Sequence, residues 1–486
     1  MRDSKLVEML GMFSKGEMKS FEKFVISPYF TAGRSVEGLF NILKKYHPEF
    51  DSANIEREKI FKKLFPREKY NEKKLKNITS SLIKLAEQFM VIDDLKKNPY
   101  EFELKLFDHY WKNENLKLFY STLKSLEKKV DDLPFDHINA YYYKEKILGN
   151  KTGYFLKINR PDKGIPLIAE TAEYNTLTFL VKFIKANNYK SRIPGTFKAG
   201  MNDVLIDTVW KNMDLDTIME DLREKKYSHL WLLELYYNVS RFSHDIDDVD
   251  SFHKAREIYG KNKEKFSRSE KHFILGDFTA FCIRKFVSGS TDFFRIEFDI
   301  AKEFKDENVL TPDDSTALQL LQYRNIVLCA IKVKEYKWLE EFIRDCTPLL
   351  RPPYRESMKY FATAKLEFER GNFEKCLENA SRVQYDMFTY KLDIKILLLM
   401  TYFELALYDQ AESMMDTYRH YLKNNKEFST KYLRKFNDFI NIYSALFKAG
   451  STGNPEDHGY LLKKVEDIKD LPARRWLIEK IKGLQK

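Results

Sequence analysis

The chain has 486 residues, a formal net charge of +10, 43% hydrophobic residues and 32% charged residues. Its 38 Phe and 29 Tyr residues greatly outnumber its 17 Gly and 14 Pro residues, so collagen-like, linker-like and disordered chains are excluded. The length is roughly three times a usual domain of about 150 residues, which predicts either several domains or one long repeat array.

The N-terminal region reads as a small helical domain. Its clearest helix carries apolar residues at alternating spacings of three and four, which places them on one face. This apolar stripe ends before Asn98-Pro99, where proline prevents the same helix from continuing. We therefore predict a basic helical domain over residues 1–97. The stripe consists of Leu75, Ile78, Leu82, Leu85 and Phe89.

The strongest charge feature of the sequence lies between Arg57 and Lys76, where nine basic residues accompany three acidic ones. Phe65-Pro66 divides this window into two helices, so it could present cations to phosphates as a helix-turn-helix does. The apolar residues of the first helix must turn inward, which leaves its lysines outward even without a ligand. A solvated basic face is the favoured interpretation, and nucleic-acid contact is the alternative. The basic patch consists of Lys59, Lys62, Lys63, Arg67, Lys73, Lys74 and Lys76.

Helical periodicity continues to the C-terminus, and no alternation of period two is bounded by a hairpin signal. We therefore predict an all-α fold. Helix pairs such as 227–242 with 249–266 predict irregular helical hairpins over residues 98–310. Prolines and glycines divide the helices at Pro28, Pro48, Pro66, Pro99, Pro134, Pro161, Pro194-Gly195, Pro312, Pro352-Pro353 and Gly453-Asn454-Pro455.

The C-terminal third contains an internal repeat. Tyr336, Phe373 and Tyr408 begin equivalent segments, at shifts of 37 and 35 residues. Small or apolar residues recur three and seven positions after each of them. A period near 34 residues is typical of stacked helix pairs, because one pair cannot bury both of its faces alone. The recurring residues are Leu339, Cys376 and Ala411, then Ile343, Ala380 and Met415.

In this register Gly371-Asn372-Phe373 forms the turn between two helices, and Ala364, Cys376 and Ala380 are the small residues of those helices. Over roughly residues 314–448 the sequence resembles a degenerate member of the tetratricopeptide-like family of helix-hairpin repeats. The opening, with Phe21 to Phe30, Ile60-Phe61 and Leu64-Phe65-Pro66, is similar to the start of a group of uncharacterised bacterial all-helical proteins.

The tetratricopeptide-like resemblance implies an irregular α-solenoid of stacked antiparallel hairpins over residues 311–486, with a C-terminal capping helix at 471–483. In that family the first helix of each pair lines a concave groove that binds a peptide or protein segment. A mixed basic and apolar lining would suit an amphipathic or acidic segment. The alternative for the apolar residues is interhelix core. The implied partner-binding residues are Arg324, Lys332, Phe361, Lys365, Phe368, Met400 and Phe403.

No pattern of catalytic residues accompanies this architecture. The sequence has no HExxH pair, no GxSxG elbow and no phosphate loop, and its four cysteines form no CxxC pair. The acidic stretch 243–250 lacks the spacing of a calcium loop, and Asp250 is predicted to cap the following helix. We therefore predict a protein that is not an enzyme and needs no cofactor or metal.

The sequence also carries no export or membrane signal. The N-terminus lacks an apolar stretch followed by a cleavage site, and the longest apolar run, 396–400, is far shorter than the roughly 20 residues that span a bilayer. We therefore expect a cytoplasmic scaffold or adaptor with a protein or peptide partner and no membrane partner. The alternative is a nucleic-acid-associated regulator that contacts phosphates through residues 55–91.

Overall fold

The fold consists of helices. The computed structural model describes residues 4–30, 34–51, 53–131, 133, 139–192, 204–384, 388–424, 429–452, 455–468 and 470–484. Within these ranges the chain forms 24 α-helices, five short 3₁₀ helices and no strand, which confirms the all-α prediction. The chain divides into two compact units: unit 1 is Met1–Asp132 with Ile147–Leu167, and unit 2 is Leu133–Lys146 with Ile168–Lys486.

Unit 1 begins with seven helices, and the boundaries of several follow from local capping. Ser14 accepts a hydrogen bond from the Glu17 amide at 3.2 Å, and Glu17 accepts one from the Ser14 amide at 2.9 Å, so the two residues form a capping box. Asn98 ends one helix and caps the next. The helices are α1 Lys5–Gly11, α2 Lys15–Val25, α3 Arg34–Leu43, α4 Arg57–Leu64, α5 Glu72–Lys97, α6 Pro99–Lys112 and α7 Leu116–Asp131.

The predicted apolar stripe of α5 lies in a core of unit 1 that is formed by residues between Leu6 and Phe89. All five residues of the stripe are buried there, together with aromatic residues of α2, α3 and α4. Phe21 illustrates this packing, since its ring contacts Phe13, Phe40 and Phe89 at centroid distances of 5.2 to 5.4 Å. The apolar periodicity therefore identified the face of α5 that packs against the rest of the unit.

Two further helices contribute to both units, and the others belong to unit 2. Apolar residues from Tyr141 to Ile481 form one connected core in unit 2. The domain boundaries predicted after residues 97 and 310 stay predictions. The remaining helices are α8 Asn139–Lys157, α9 Pro161–Arg192, α10 Val204–Asn212, α11 Leu215–Glu224, α12 Leu230–His244, α13 Val249–Asn262, α14 Arg268–Val287, α15 Phe293–Asp306, α16 Leu320–Lys332, α17 Tyr336–Cys346, α18 Arg355–Glu369, α19 Phe373–Ser381, α20 Phe388–Glu404, α21 Tyr408–Asn424, α22 Thr430–Thr452, α23 Pro455–Asp467 and α24 Arg474–Leu484.

From α12 onward, unit 2 packs mainly between helices that are neighbours in the sequence. Consecutive helices contact each other in pairs, as α16 does with α17 and α18 with α19. Contacts also join alternate helices: α12 with α14, α16 with α18, α18 with α20, and α22 with α24. The first helices of successive pairs therefore lie side by side at these places.

Three of these pairs share one turn geometry, which other turns of the chain, such as those at Glu114 and Asn159, also adopt. Lys334, Gly371 and Ala406 follow α16, α18 and α20, and each has a positive φ of 61°, 78° and 54° respectively. Each donates its N–H to the carbonyl three residues earlier, and the next residue donates to the carbonyl five residues earlier, at 2.8 to 3.2 Å. This is the hydrogen-bond pattern of a Schellman cap. The following helix begins two residues later, at the repeat residues Tyr336, Phe373 and Tyr408.

The helix breaks predicted at prolines and glycines coincide with helix boundaries wherever the structure describes them in full, as at Pro99 and Pro161. The predicted breaks at Pro134, Pro194-Gly195 and Gly453-Asn454 lie outside the described residues. The predicted cap at Asp250 is wrong by two residues. Asp248 caps α13 instead, because its carboxylate accepts from the Ser251 amide at 3.1 Å.

Candidate functional site

The predicted partner-binding residues lie on or near α16, α18 and α20 of unit 2. We call the surface formed by these three helices around Arg324, Lys365 and Asp393 the central face. α18 contacts both α16 and α20. Side chains also join α16 directly to α20: Arg324 Nη2 donates to Asp393 Oδ1 at 2.8 Å, and the Tyr390 hydroxyl donates to the Leu320 carbonyl. One surface therefore brings together residues from three successive helix pairs.

Arg324 does not face solvent as the free cation that was expected. Its Nε also donates to Asp393, so the guanidinium holds the carboxylate through two nitrogens. The side chains are only 20% and 11% exposed, respectively. Because this mostly buried bidentate pair neutralises both charges, Arg324 joins two helices rather than presenting a charge to a partner.

Lys365 differs from Arg324 because its ammonium has no hydrogen bond or ion pair within the described ranges. The residue is half-buried on α18. Loss of hydration lowers the pKa of Lys365, and the positive charge of Arg324 acts in the same direction while Asp393 opposes it. The central face therefore contains a cation that has lost part of its hydration and has gained no directly bonded anion.

Lys332, at the end of α16, has a similar environment. Its Nζ lies 3.6 Å from the ring centroid of Phe286 and 4.5 Å from that of Phe294. The residue is exposed as a whole, yet surrounding protein removes enough hydration to lower its pKa to about 8, an effect that the negative charge of Glu297 opposes. Its ammonium forms no ion pair in the part of the chain that the structure describes.

Glu297 is a functional candidate that the sequence analysis did not identify. It is 6% exposed on α15, and burial raises the pKa of its carboxyl to about 7, although the nearby Lys332 lowers it. A signal was present in the sequence. Phe293, Glu297, Ile300 and Phe304 share one helical face, so a Glu occupies a core position between apolar residues.

The apolar candidates belong to the interhelix core, which was the alternative interpretation. Phe361 is fully buried with its ring against Tyr390 at 5.3 Å, and Met400 is 7% exposed. Phe368 is 8% exposed and packs on Phe373 of the next helix at 5.4 Å. These side chains do not form an open apolar lining.

Phe403 is covered by the C-terminal helix of the chain itself. Trp476 of α24 contacts the Phe403 ring at 5.4 Å and donates its indole N–H to Glu404 at 2.6 Å. Lys480 pairs with the same carboxylate at 2.7 Å, and Arg475 pairs with Glu369 at the end of α18. α24 thus satisfies two acidic groups at the ends of α18 and α20, whereas Lys332 and Lys365 stay without an ion pair in the described chain.

The basic patch of unit 1 contains two kinds of cation. Lys59 pairs with Glu56 at 3.2 Å, Lys74 with Glu68 at 2.7 Å, and Lys76 with Glu72 at 3.2 Å. The other four residues are exposed and form no ion pair among the residues that the structure covers. They are Lys62, Lys63, Arg67 and Lys73.

The described chain contains no cluster of metal ligands, and its cysteine thiols are buried. No group of three or more His, Cys, Asp or Glu residues is placed there to hold a metal ion. All four cysteines are buried and unpaired, and burial raises the pKa of each thiol. Such thiols are poor nucleophiles, because the reactive form is the thiolate.

Comparisons with known proteins add no family to this description. No protein-family model matches the chain, and neither a curated protein nor a solved structure matches it. Within the ranges described, no helix combines the length and apolar character needed to cross a bilayer.

Proposed function

We propose that the chain is a non-catalytic scaffold or adaptor that binds an acidic protein segment on the central face of unit 2. In this proposal residues 311–486 form an irregular, tetratricopeptide-like α-solenoid, and the helix pairs upstream continue its stack. The side-by-side contacts of alternate helices support the stacking. The turn geometry at Lys334, Gly371 and Ala406 is compatible with this stacking, and the same cap also follows helices outside residues 311–486, as at Glu114 and Asn159.

The observation that carries the proposal is the state of Lys332 and Lys365. Surrounding protein lowers the pKa of both lysines, of which Lys365 is half-buried and Lys332 is exposed, and neither forms an ion pair among the described residues. Removing a charge from water is costly unless an opposite charge compensates it. A bound carboxylate would supply that compensation, so the two lysines favour a partner that carries Asp or Glu.

The neighbouring surface indicates what else the partner would contain. Phe286 and Phe294 flank the Lys332 ammonium, and Leu321 of α16 is 48% exposed. These groups offer limited apolar area beside the cations. We therefore propose a short acidic segment with one or two apolar side chains, in which the carboxylates fix the orientation and the apolar groups add contact area.

The experiment compares two variants of the full chain in titrations with a fluorescein-labelled peptide rich in Glu and Leu. Replacing Lys332→Gln and Lys365→Gln should weaken binding about tenfold or more, since each lost charged contact is worth roughly 1.5 to 3 kcal/mol. The control replaces Lys337→Gln and Lys359→Gln, which removes the same charge from exposed positions on α17 and α18. An equal loss in both variants, or no binding to the wild type, would contradict the proposal.

A further inference from the structure

The turn between α4 and α5 of unit 1 carries an excess of cations that neighbouring acids do not neutralise. Three acidic residues near this turn form ion pairs with its other cations. Glu56 pairs with Lys59, Glu68 pairs with Lys74, and Glu72 pairs with both Lys76 and, at 3.1 Å, Arg57. Five further cations are exposed and form no ion pair among the described residues. We call them the free-cation surface: Lys62, Lys63, Arg67, Lys69 and Lys73.

An exposed aromatic ring lies within this surface. Tyr70 is 42% exposed, directly follows Lys69 and precedes Lys73 by three residues. Its ring makes a T-shaped contact with that of Phe61, at a centroid distance of 5.4 Å, and Phe61 is itself only 1% exposed in the core of unit 1. The ring is therefore held in place from below while part of it stays open to solvent.

Several side-chain contacts fix the conformation of the turn that carries Tyr70. Lys74 Nζ lies 3.7 Å from the ring centroid of Phe65 and pairs with both oxygens of Glu68 at 2.7 Å. Asn71 accepts a hydrogen bond from the Lys74 amide at 3.0 Å and caps α5. Because a surface that is already ordered loses little conformational entropy on binding, these contacts favour recognition of an extended ligand.

We propose that the free-cation surface binds single-stranded nucleic acid, with the cations on phosphates and Tyr70 stacked on a base. A single strand offers regularly spaced negative charges together with unstacked bases, and sequence-independent binding proteins combine cationic and aromatic groups to match both. A duplex would satisfy the cations but would leave Tyr70 without a base, since its bases are already stacked. An acidic peptide would likewise leave the ring without a flat partner.

The first test measures salt dependence with fluorescein-labelled oligo-dT and oligo-rU of equal length, against a mixed-sequence DNA duplex. If three to five phosphates are contacted, the logarithm of the single-strand affinity should fall with the logarithm of salt concentration with a slope of about −2 to −3.5. Replacing Lys62, Lys63, Lys69 and Lys73 with Gln should flatten this slope and abolish binding near 0.15 M salt. A single strand that wild type binds no more tightly than that variant would overturn the proposal.

A matched control removes the same charge elsewhere in unit 1. Lys15, Lys19, Lys23 and Lys45 are also exposed, so changing these four to Gln lowers the net charge equally without touching the turn. Their replacement should leave single-strand affinity within about twofold of the wild type. An equal loss in this control would overturn the proposal, because binding would then follow total charge alone.

The second test concerns Tyr70. Tyr70→Ala should weaken single-strand binding about tenfold, as expected from loss of one stacked base, and should leave duplex binding unchanged, whereas Tyr70→Phe should retain both. Equal effects of Tyr70→Ala on single strand and duplex, or none on either, would overturn the stacking role. The acidic-peptide titration of unit 2 should be unaffected by all of these variants, so failure here is distinguishable from failure of the proposed scaffold function.

Discussion

The carboxyl group of Glu297 lies in the apolar face of α15, where its charged form is poorly hydrated. Burial raises the pKa of this group from its ordinary value of 4.5 to about 7. Between these two pH values the folded chain holds a proton that the unfolded chain has released. The free energy of unfolding should therefore fall as the pH rises through this interval, because stability decreases wherever the folded state binds more protons.

Replacing Glu297→Gln should remove this pH dependence. The difference in unfolding free energy between wild type and variant should decrease by up to about 3 kcal/mol from pH 4.5 to 7, because one pKa unit corresponds to about 1.4 kcal/mol. Urea denaturation at several pH values measures it. Asp299→Asn, an exposed change on the same helix, serves as the control. A pH dependence that survives in Glu297→Gln would show that this carboxyl is not the group responsible.

Sequence reasoning identified some buried residues of the helix pairs in unit 2 and missed the partners of others for a physical reason. The spacing of the repeat placed Cys376 and Ala380 correctly, and both are fully buried. It did not reveal that Arg324 pairs with Asp393, because the two residues are 69 positions apart and meet only when α16 approaches α20. Single-helix periodicity indicates which face is buried and carries no information about such distant partners.

At the scale of elements, the turns after α16, α18 and α20 place the repeat residues Tyr336, Phe373 and Tyr408 at equivalent positions, each two residues after a residue of positive φ. Each turn requires one residue in the left-handed region, and only the middle one is glycine. At Gly371 an added Cβ would meet no atom within 4 Å, so a side chain there would strain only the backbone. The turn therefore offers a test of backbone conformation that is free of packing effects.

Gly371→Ala should lower the free energy of unfolding by about 1 kcal/mol, since the left-handed conformation costs an L-residue roughly 1 to 2 kcal/mol. The reciprocal change Ala406→Gly at the equivalent turn should raise stability or leave it unchanged. Chemical denaturation of both variants measures the two effects. A loss of stability in both would show that the turns are not equivalent.

The C-terminal helix shows the limit of prediction at this scale. A capping helix at residues 471–483 was expected from the resemblance to helix-hairpin repeats, and α24 spans Arg474–Leu484. The contacts of Trp476 and Lys480 with Glu404 could not be predicted, since they depend on how α24 folds back toward the end of α20. The sequence identified the helix, whereas the tertiary structure determined which residues it covers.

At the scale of the whole molecule, the helical class followed from composition and periodicity, because few breakers and continuous stripes leave little room for strands. The two-unit division did not follow, since residues 147–167 join unit 1 after the chain has entered unit 2. The cations that contribute to the net charge of +10 also have different surroundings in the two units. Unit 1 carries an exposed cationic turn, whereas in unit 2 Arg324 is paired with Asp393, and Lys332 and Lys365 form no ion pair among the described residues.

The proposed role of Lys332 and Lys365 makes binding of an acidic segment dependent on pH. A bound carboxylate favours the protonated ammonium, so above pH 8, where more than half of free Lys332 has lost its proton, binding must take up a proton and weakens. Arginine stays protonated at these pH values. The variant Lys332→Arg with Lys365→Arg should therefore keep its affinity where the wild type loses it.

The most direct measurement is the affinity of the labelled Glu- and Leu-rich peptide for the full chain between pH 7 and 9.5, for the wild type and for this double-arginine variant at constant salt. We predict that the wild-type affinity falls about tenfold or more over this range, since each pH unit above the lysine pKa can cost up to tenfold, while the variant changes about twofold at most. A wild-type affinity that stays constant, or one that falls equally in both proteins, would contradict the assignment of the central face as the site for an acidic partner.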